Sequence, residues 1–250
     1  MALFNARSLR NKRNINSKID GIIFGETGVN FAYQLGIMKY MQKTFRLDGY
    51  KFCGISGGCN CAFILVNKID VDHFFHEFVI QTFNRKNKNK FSSVFEMCHK
   101  AVHKLYKSKC GLQNMNDKLY VSMTKVFPYW HNHTVCRYRD FTDMLNSIKA
   151  SQYIPFIFGH PYTFYNKEIY IDGFFSSYFH YKPTDENWVS INLRNFRVYY
   201  FLTSIVHLGY LFDQEYHERC YSDGYLDAKK QHAYFLRLGF KVLSEEVAIK

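Results

Sequence analysis

The chain contains no C-x-x-C pair. Its seven cysteines, Cys53, Cys59, Cys61, Cys98, Cys110, Cys136 and Cys220, are odd in number and irregularly spaced. Neither a disulfide framework nor a zinc site is expected from them, and the thiols read as those of a reduced, intracellular protein. Residues 1–19 hold no apolar core of a secretory signal, so the protein is expected to be cytoplasmic and not secreted. Long hydrophobic runs are missing as well. The most lipid-like stretch, Val198 to Phe212, is interrupted by Thr203, Ser204, His207 and Gly209; it is too short and polar to span a bilayer and reads as a buried or interfacial helix. No internal repeat is visible. No RNA-recognition, zinc-finger or helix-turn-helix signature occurs, so nucleic acid is not an expected partner. No Gly-Lys-[Ser/Thr] follows the first glycine loop and no G-x-G-x-x-G is formed, so neither a P-loop nor a dinucleotide site is expected, and no cofactor or metal.

Acidic residues are also scarce, 21 against 33 Lys and Arg, which leaves a net charge of +12. Such an excess favours an anionic partner such as a membrane surface. The basic residues concentrate in an N-terminal arm (Arg7, Arg10, Lys12, Arg13, Lys18) and in 85–109, where eight Lys/Arg face one acid, Glu96. Residues 1–18 read as a basic, flexible arm, and residues 19–250 as one α/β domain with a sizeable core. Phe and Tyr are abundant, 25 and 20, but most fall inside apolar strand-like or helix-like runs where core packing accounts for them. A basic, aromatic-rich module that binds nucleic acid, with the serine loop incidental, is the remote alternative this composition leaves.

Against this background one stretch stands out. Gly54-Ile55-Ser56-Gly57-Gly58 is a G-x-S-x-G, preceded by residues apolar enough for a short buried strand and followed, from Cys59 to Val66, by a buried helix. A serine on such a strand-to-helix turn is forced outward on strained backbone, and a Cβ at either flanking glycine would collide with a neighbouring element. Upstream, Gly21–Phe24 reads as a first buried strand, Gly25–Gly28 as the loop ending it, and 30–46 as a helix on the spacing of Phe31, Leu35, Met38 and Met41. Parallel pairing of the two strands would set the Gly25–Gly28 loop beside Ser56, at the edge where open α/β sheets bind ligands. Downstream, helices are expected over 72–85, 91–108 and 142–151 and strands over 118–126 and 134–138. Residues 154–159 read as a buried, irregular approach to the centre, and 165–167 as a hairpin-like turn. Strands come next at 168–171 and 188–193, then helices at about 195–212 and 214–235.

A serine nucleophile needs a base and donors for the oxyanion. Ser56 follows a single earlier strand, unlike the α/β-hydrolase order, and no histidine sits where the pattern singles it out. Asp172 is the better base. An apolar strand delivers it to Asp172-Gly173, the same device that presents Ser56.

The order of glycine loop, G-x-S-x-G and strand ending in Asp-Gly resembles the patatin-like phospholipase family, and within it the animal triglyceride-lipase branch. Further segments are similar in the same order: Leu119 to Thr124, Ala150-Ser151-Gln152-Tyr153-Ile154-Pro155, Gly159-His160-Pro161, Tyr170 to Gly173, Asn192 to Asn195, and Tyr221 to Ala228. The similarity covers about Asp20 to Lys230. It implies a three-layer α/β fold with a central, mostly parallel sheet and helices on both faces. It further implies a Ser56–Asp172 dyad acting on glycerolipid or phospholipid acyl esters through an acyl-enzyme. The resemblance also implies that no metal or histidine takes part and that Gly57 supplies an oxyanion N–H; peripheral association with a membrane or lipid-droplet surface is expected through the basic 85–109 region and apolar side chains near the site mouth. Gly25, Gly54, Gly58 and Gly173 are then the motif glycines; a protein co-activator is left open.

The chain departs from that pattern in three places. With Gly28 and Gly36 in register, Glu26 falls on the first glycine of the family's oxyanion loop and Phe31 on its last; a register shifted by one, with Gly25 as first glycine, stays open. Backbone N–H groups of Thr27 and Gly28 can still serve an oxyanion. A Glu26 carboxylate facing it would be repulsive, on a scale where loss of one donor costs roughly 2.7–4 kcal/mol. Phe174 stands where a small residue commonly follows Asp-Gly. These departures raise the alternatives of a catalytically impaired protein that binds lipid or a partner, or of an acyltransferase.

Overall fold

The computed structural model describes residues 19–84, 86, 93–177, 187–204 and 206–243. The basic arm and most of the 85–92 loop lie outside the described residues. The elements run β1 (Gly21–Phe24), α1 (Phe31–Thr44), β2 (Lys51–Ile55), α2 (Gly58–Val66) and α3 (Val71–Phe74), which continues as a π-helical stretch Phe75–Ile80. Next come α4 (Val94–Tyr106), α5 (Leu112–Met115), β3 (Leu119–Lys125), β4 (His131–Val135), α6 (Phe141–Ser151), β5 (Thr163–Tyr165) and β6 (Glu168–Ile171). The chain closes with α7 (Phe174–Ser177), β7 (Trp188–Ile191), α8 (Val198–Leu202), α9 (Gln214–Lys230) and α10 (His232–Leu238).

The seven strands form one mixed, mostly parallel sheet in the order β5-β6-β3-β2-β1-β7, with β4 also on β3. β7, β1, β2 and β3 are mutually parallel, and these short, nearly continuous apolar strands are the kind that parallel sheets bury. α2 packs on β1, β2 and β3, and α6 on β3.

Register around β3 brings the two motif turns together. β4 pairs with it over 121–125 and so fills one edge. β2 pairs with 119–122 on the other edge and ends at Ile55, opposite Ser122. β6, antiparallel, pairs with Thr124 and Lys125, and the only edge left for it there is the one β2 has just vacated. The two strands therefore point at each other along one edge of β3, and the residues just past their ends, Ser56 and Asp172, meet.

α1 and α9 lie backbone to backbone. A Cβ on Gly36 would stand 2.0 Å from the Tyr221 carbonyl oxygen, and one on Gly224 2.0 Å from that of Tyr33, so both contacts require glycine. The closeness lets the Tyr33 hydroxyl donate to Asp227 at 2.8 Å, and the Asp227 carboxylate also takes the Arg197 guanidinium.

Three local expectations are corrected. The strand expected at 134–138 lies earlier, at His131–Val135, because its ladder with β3 ends at Val121↔Val135. Tyr138 instead turns inward, its hydroxyl donating to the Leu119 and Val135 carbonyls at 3.1 Å each. The helix expected over 195–212 breaks into α8 and a 3-10 turn, Val206–Tyr210. Carbonyls that would have continued it are taken by tertiary partners: Ser204 O accepts the Val29 N–H at 3.0 Å and Tyr200 O accepts the Asn30 amide. In 154–159 the irregular path is as expected, but none of the six residues is buried, and Phe156 is 78% exposed, at a positive φ of 64°.

Gly224→Ala tests the α1–α9 contact. Urea unfolding is expected to show a loss of about 1–3 kcal/mol, the cost typical of forcing extra atoms into a packed interface.

Candidate active site

Ser56 occupies the first residue after β2 with φ 53°, a left-handed conformation that costs a non-glycine residue roughly 1–3 kcal/mol. The turn is tight because both flanking glycines touch backbone. A Cβ on Gly54 would lie 2.3 Å from Cys59 Cα in α2, and one on Gly58 2.3 Å from the Phe24 carbonyl oxygen of β1. This is the collision the sequence pattern predicts.

The Ser56 hydroxyl donates to Asp172 Oδ2 at 2.7 Å, and Asp172 Oδ1 accepts the Phe174 N–H at 2.8 Å. Asp172 is 1% exposed. Burial pushes its carboxyl up to about 7; the hydrogen bonds from Phe174 and Ser56 oppose that rise and the charge of Glu26 adds to it. The Asp172 backbone is fixed on three sides. Its N–H donates to Tyr153 O at 2.8 Å, the Gly173 N–H donates to Ser151 O at 2.9 Å, and Thr124 Oγ1 donates to Asp172 O at 2.8 Å.

Ser151, the last residue of α6, joins the two halves. Its Oγ accepts the Ser56 N–H at 2.9 Å and donates to Ser122 O at 2.6 Å, while the Cys59 thiol approaches at 3.3 Å. Sequence reading did not single out its role. The available signal was a pair of serines, Ser147 and Ser151, four apart on the apolar face of α6, both fully buried. Thr124, at the end of β3, was missed for the same reason. Burial pushes the Cys59 thiol up to about 12, so it stays a neutral packing group behind the elbow.

The Gly25–Gly28 loop lies against the elbow as expected: a Cβ on Gly57 would sit 1.9 Å from Thr27 Oγ1. Gly28 takes a positive φ of 51°. Among the described residues no hydrogen bond takes up the N–H of Thr27, Gly28 or Gly57, which leaves three donors beside Ser56. Gly57 caps α2, whose N-terminal dipole adds to the positive field there.

Two cavities open on Ser56, and Gly28 and Ile154 border both. One, of about 110 Å³, runs between Phe31, Phe63, Phe78, Phe83, Val102 and Ile148. Phe31 is a wall of this cavity, its ring 5.1 Å from that of Phe83. The other, of about 280 Å³, is lined by Glu26, Asp172, Phe174, Phe175, Phe201 and Leu202. Glu26 is half-buried here, and burial raises its carboxyl above the ordinary glutamate range. No group of three or more His, Cys, Asp or Glu able to hold a metal occurs among the described residues.

Chemically, the arrangement is a hydroxyl hydrogen-bonded to a buried carboxylate, with backbone donors beside it and an apolar cavity behind. A carboxyl that titrates near neutrality is suited to accept a proton at that pH. Because Asp172 must be ionised to do so, any turnover that uses it as a base is expected to rise with pH, inflect near 7 and level off above it. Asp172→Asn should abolish the inflection, as read from kcat/KM profiles. The same raised carboxyl favours the fold while protonated, so this contribution to stability is lost as pH rises from about 4 through 7. Ser151→Ala leaves the buried Ser56 N–H without its acceptor. Chemical denaturation should show a loss of about 1–3 kcal/mol, with kcat falling alongside.

In comparison with known proteins, no family model matches this chain, and no curated protein matches it.

Proposed function

We propose that this protein is a lipid acyl hydrolase, a serine esterase using the Ser56–Asp172 dyad on a patatin-like three-layer fold. One observation carries the reading: the 2.7 Å hydrogen bond from Ser56 Oγ to the buried Asp172 carboxylate, across 116 residues of chain. In the reaction Asp172 takes the hydroxyl proton as Ser56 Oγ attacks the ester carbonyl carbon. The resulting oxyanion is held by the N–H groups of Gly57, Thr27 and Gly28. Collapse breaks the bond to the alcohol oxygen, which receives the proton from Asp172, and leaves an acyl-enzyme. Water then attacks the acyl carbon and gives a proton to Asp172. Ser56 departs, regains its proton, and a fatty acid is released. An acceptor alcohol in place of water would make the same chemistry an acyl transfer.

The lipid part of the reading rests on the apolar cavity beside Ser56 and on the site's surroundings. Phe127, Tyr129, Trp130, Phe156, Leu202 and Val206 are all exposed. Trp130 approaches Phe175, and Leu202 borders the cavity that Glu26 lines. Exposed groups beside such a cavity, as Trp130 and Leu202 are, suit a protein that works at a lipid surface. Among the described residues no helix is long and apolar enough to cross a membrane, so the contact with lipid is proposed to be peripheral.

A second reading, the same fold with impaired chemistry that binds lipid, draws on Glu26 standing in the cleft with Ser56 and Asp172. One assay decides between them. With tri-, di- and phosphoglycerides in micelles, fatty-acid release by Ser56→Ala is expected to fall at least about 10³-fold. Release by Asp172→Asn should fall about 10²–10⁴-fold, the contribution of a general base. A wild-type rate no higher than that of correctly folded Ser56→Ala would establish the impaired reading instead.

A further inference from the structure

An ester bound at Ser56 has two arms, and two cavities of different chemistry lead away from that residue. An acyl chain carries neither charge nor hydrogen-bond donor, and the part of the first cavity walled by Phe31, Phe63, Phe78 and Phe83 matches it, while Asn60, His99, Lys149 and Gln152 complete the lining. That assigns the alcohol arm to the second cavity. Its walls combine a carboxylate, Glu26, with the rings of Phe174, Phe175 and Phe201.

Glu26 is poorly compensated for a carboxylate in such a place. Among the described residues no Lys, Arg or His nitrogen comes within 4.0 Å of it, and its hydrogen bond is to its own backbone N–H. Arg194 is felt only as the weakest of the influences on it. The Arg194 guanidinium lies 5.3 Å from the centre of the Phe201 ring and does not line the cavity, which leaves Phe174 and Phe175 as the rings open to a ligand there. Asp172 contributes a second carboxyl to the same space. Phe174 and Phe175 meet nearly edge to face, with centroids 5.6 Å apart, and form an aromatic corner. A carboxylate with no ion-pair contact beside several aromatic rings is the environment that binds an alkylammonium group, through charge and through the negative ring faces. A phosphate in the same position would be repelled.

We infer that the second cavity binds the alcohol part of the ester and selects one that carries a positive charge, an ammonium or trimethylammonium close to the ester oxygen. This deepens the esterase reading and rests on it. Glu26 then has a purpose at a position where the family pattern has glycine: it sets specificity for the leaving group.

The experiment compares two esters of nearly equal shape, butyrylcholine and 3,3-dimethylbutyl butyrate, which differ by nitrogen against carbon and hence by one charge. With the full chain, kcat/KM is expected to favour the cationic ester by about tenfold or more, mainly through a lower KM. Glu26→Gln should bring the ratio close to one. Phe175→Leu, which keeps apolar bulk and removes a ring, should lower it by about two- to fivefold. Tetramethylammonium, at ionic strength matched with sodium chloride, should raise the Tm of the wild type and of Ser56→Ala but not that of Glu26→Gln. Equal turnover of the two esters by the wild type overturns the inference and leaves the esterase reading standing. A preference that survives in Glu26→Gln overturns the assignment to this cavity. If neither ester is cleaved, a Glu26-dependent shift with tetramethylammonium sustains the cation site, and the esterase reading is decided by fatty-acid release from micellar lipid against Ser56→Ala; absence of the shift overturns the inference.

Discussion

A carboxyl group held out of water at Asp172 is the constraint to which the rest of the molecule answers. Desolvation alone favours its neutral form, and only two hydrogen bonds act the other way, from the Phe174 N–H and the Ser56 hydroxyl. The balance leaves it near neutrality, where one group can both take and return a proton. Keeping a buried carboxyl in that balance demands a rigid frame. Tyr153 and Ser151 fasten the backbone of Asp172 and Gly173 from one side and Thr124 from the other. Ser151 then ties the same frame to the Ser56 amide.

The meeting of hydroxyl and carboxylate results from how one strand is shared. β3 outlasts β2 by three residues, and β6 fills the edge that β2 vacates, running the opposite way. Two strand ends are thereby aimed at each other. A Cβ on Gly173 would lie 2.4 Å from the Ser122 carbonyl oxygen and 3.1 Å from Ile55, so the turn after β6 is pressed directly against the end of β2. The antiparallel β6 is thus what completes the pair, although Ser56 belongs to the parallel part of the sheet.

The abundance of aromatic residues has a structural account. Phe75, in the π-helical stretch, stacks on Tyr221 of α9 with centroids 4.0 Å apart, and Tyr33 of α1 lies 4.4 Å from Tyr200 of α8. Tyrosines in this region keep their hydroxyls bonded. Tyr33 donates to Asp227, Tyr200 to Asp223 and Tyr221 to Asp72, and burial together with these carboxylates holds all three phenols neutral. Rings in such a network serve the fold rather than a surface for base stacking.

The sequence alone determined the parts of this molecule that local rules govern. The elbow at Ser56 was legible because a G-x-S-x-G between an apolar strand and an apolar helix has few other conformations, and β1, α1, β2 and α2 are set by periodicity. Asp172 could be named because strand and glycine turn repeat the same device. What local rules do not reach is which carbonyl a distant group will claim. Only the tertiary structure decided that Val29 and Asn30 interrupt the helix expected after 195, that Ser151 and Thr124 brace the dyad, and that Phe31 and Glu26 line two different cavities. Each of these depends on an edge or a face becoming available after the chain has folded, and no window of neighbouring residues contains that information.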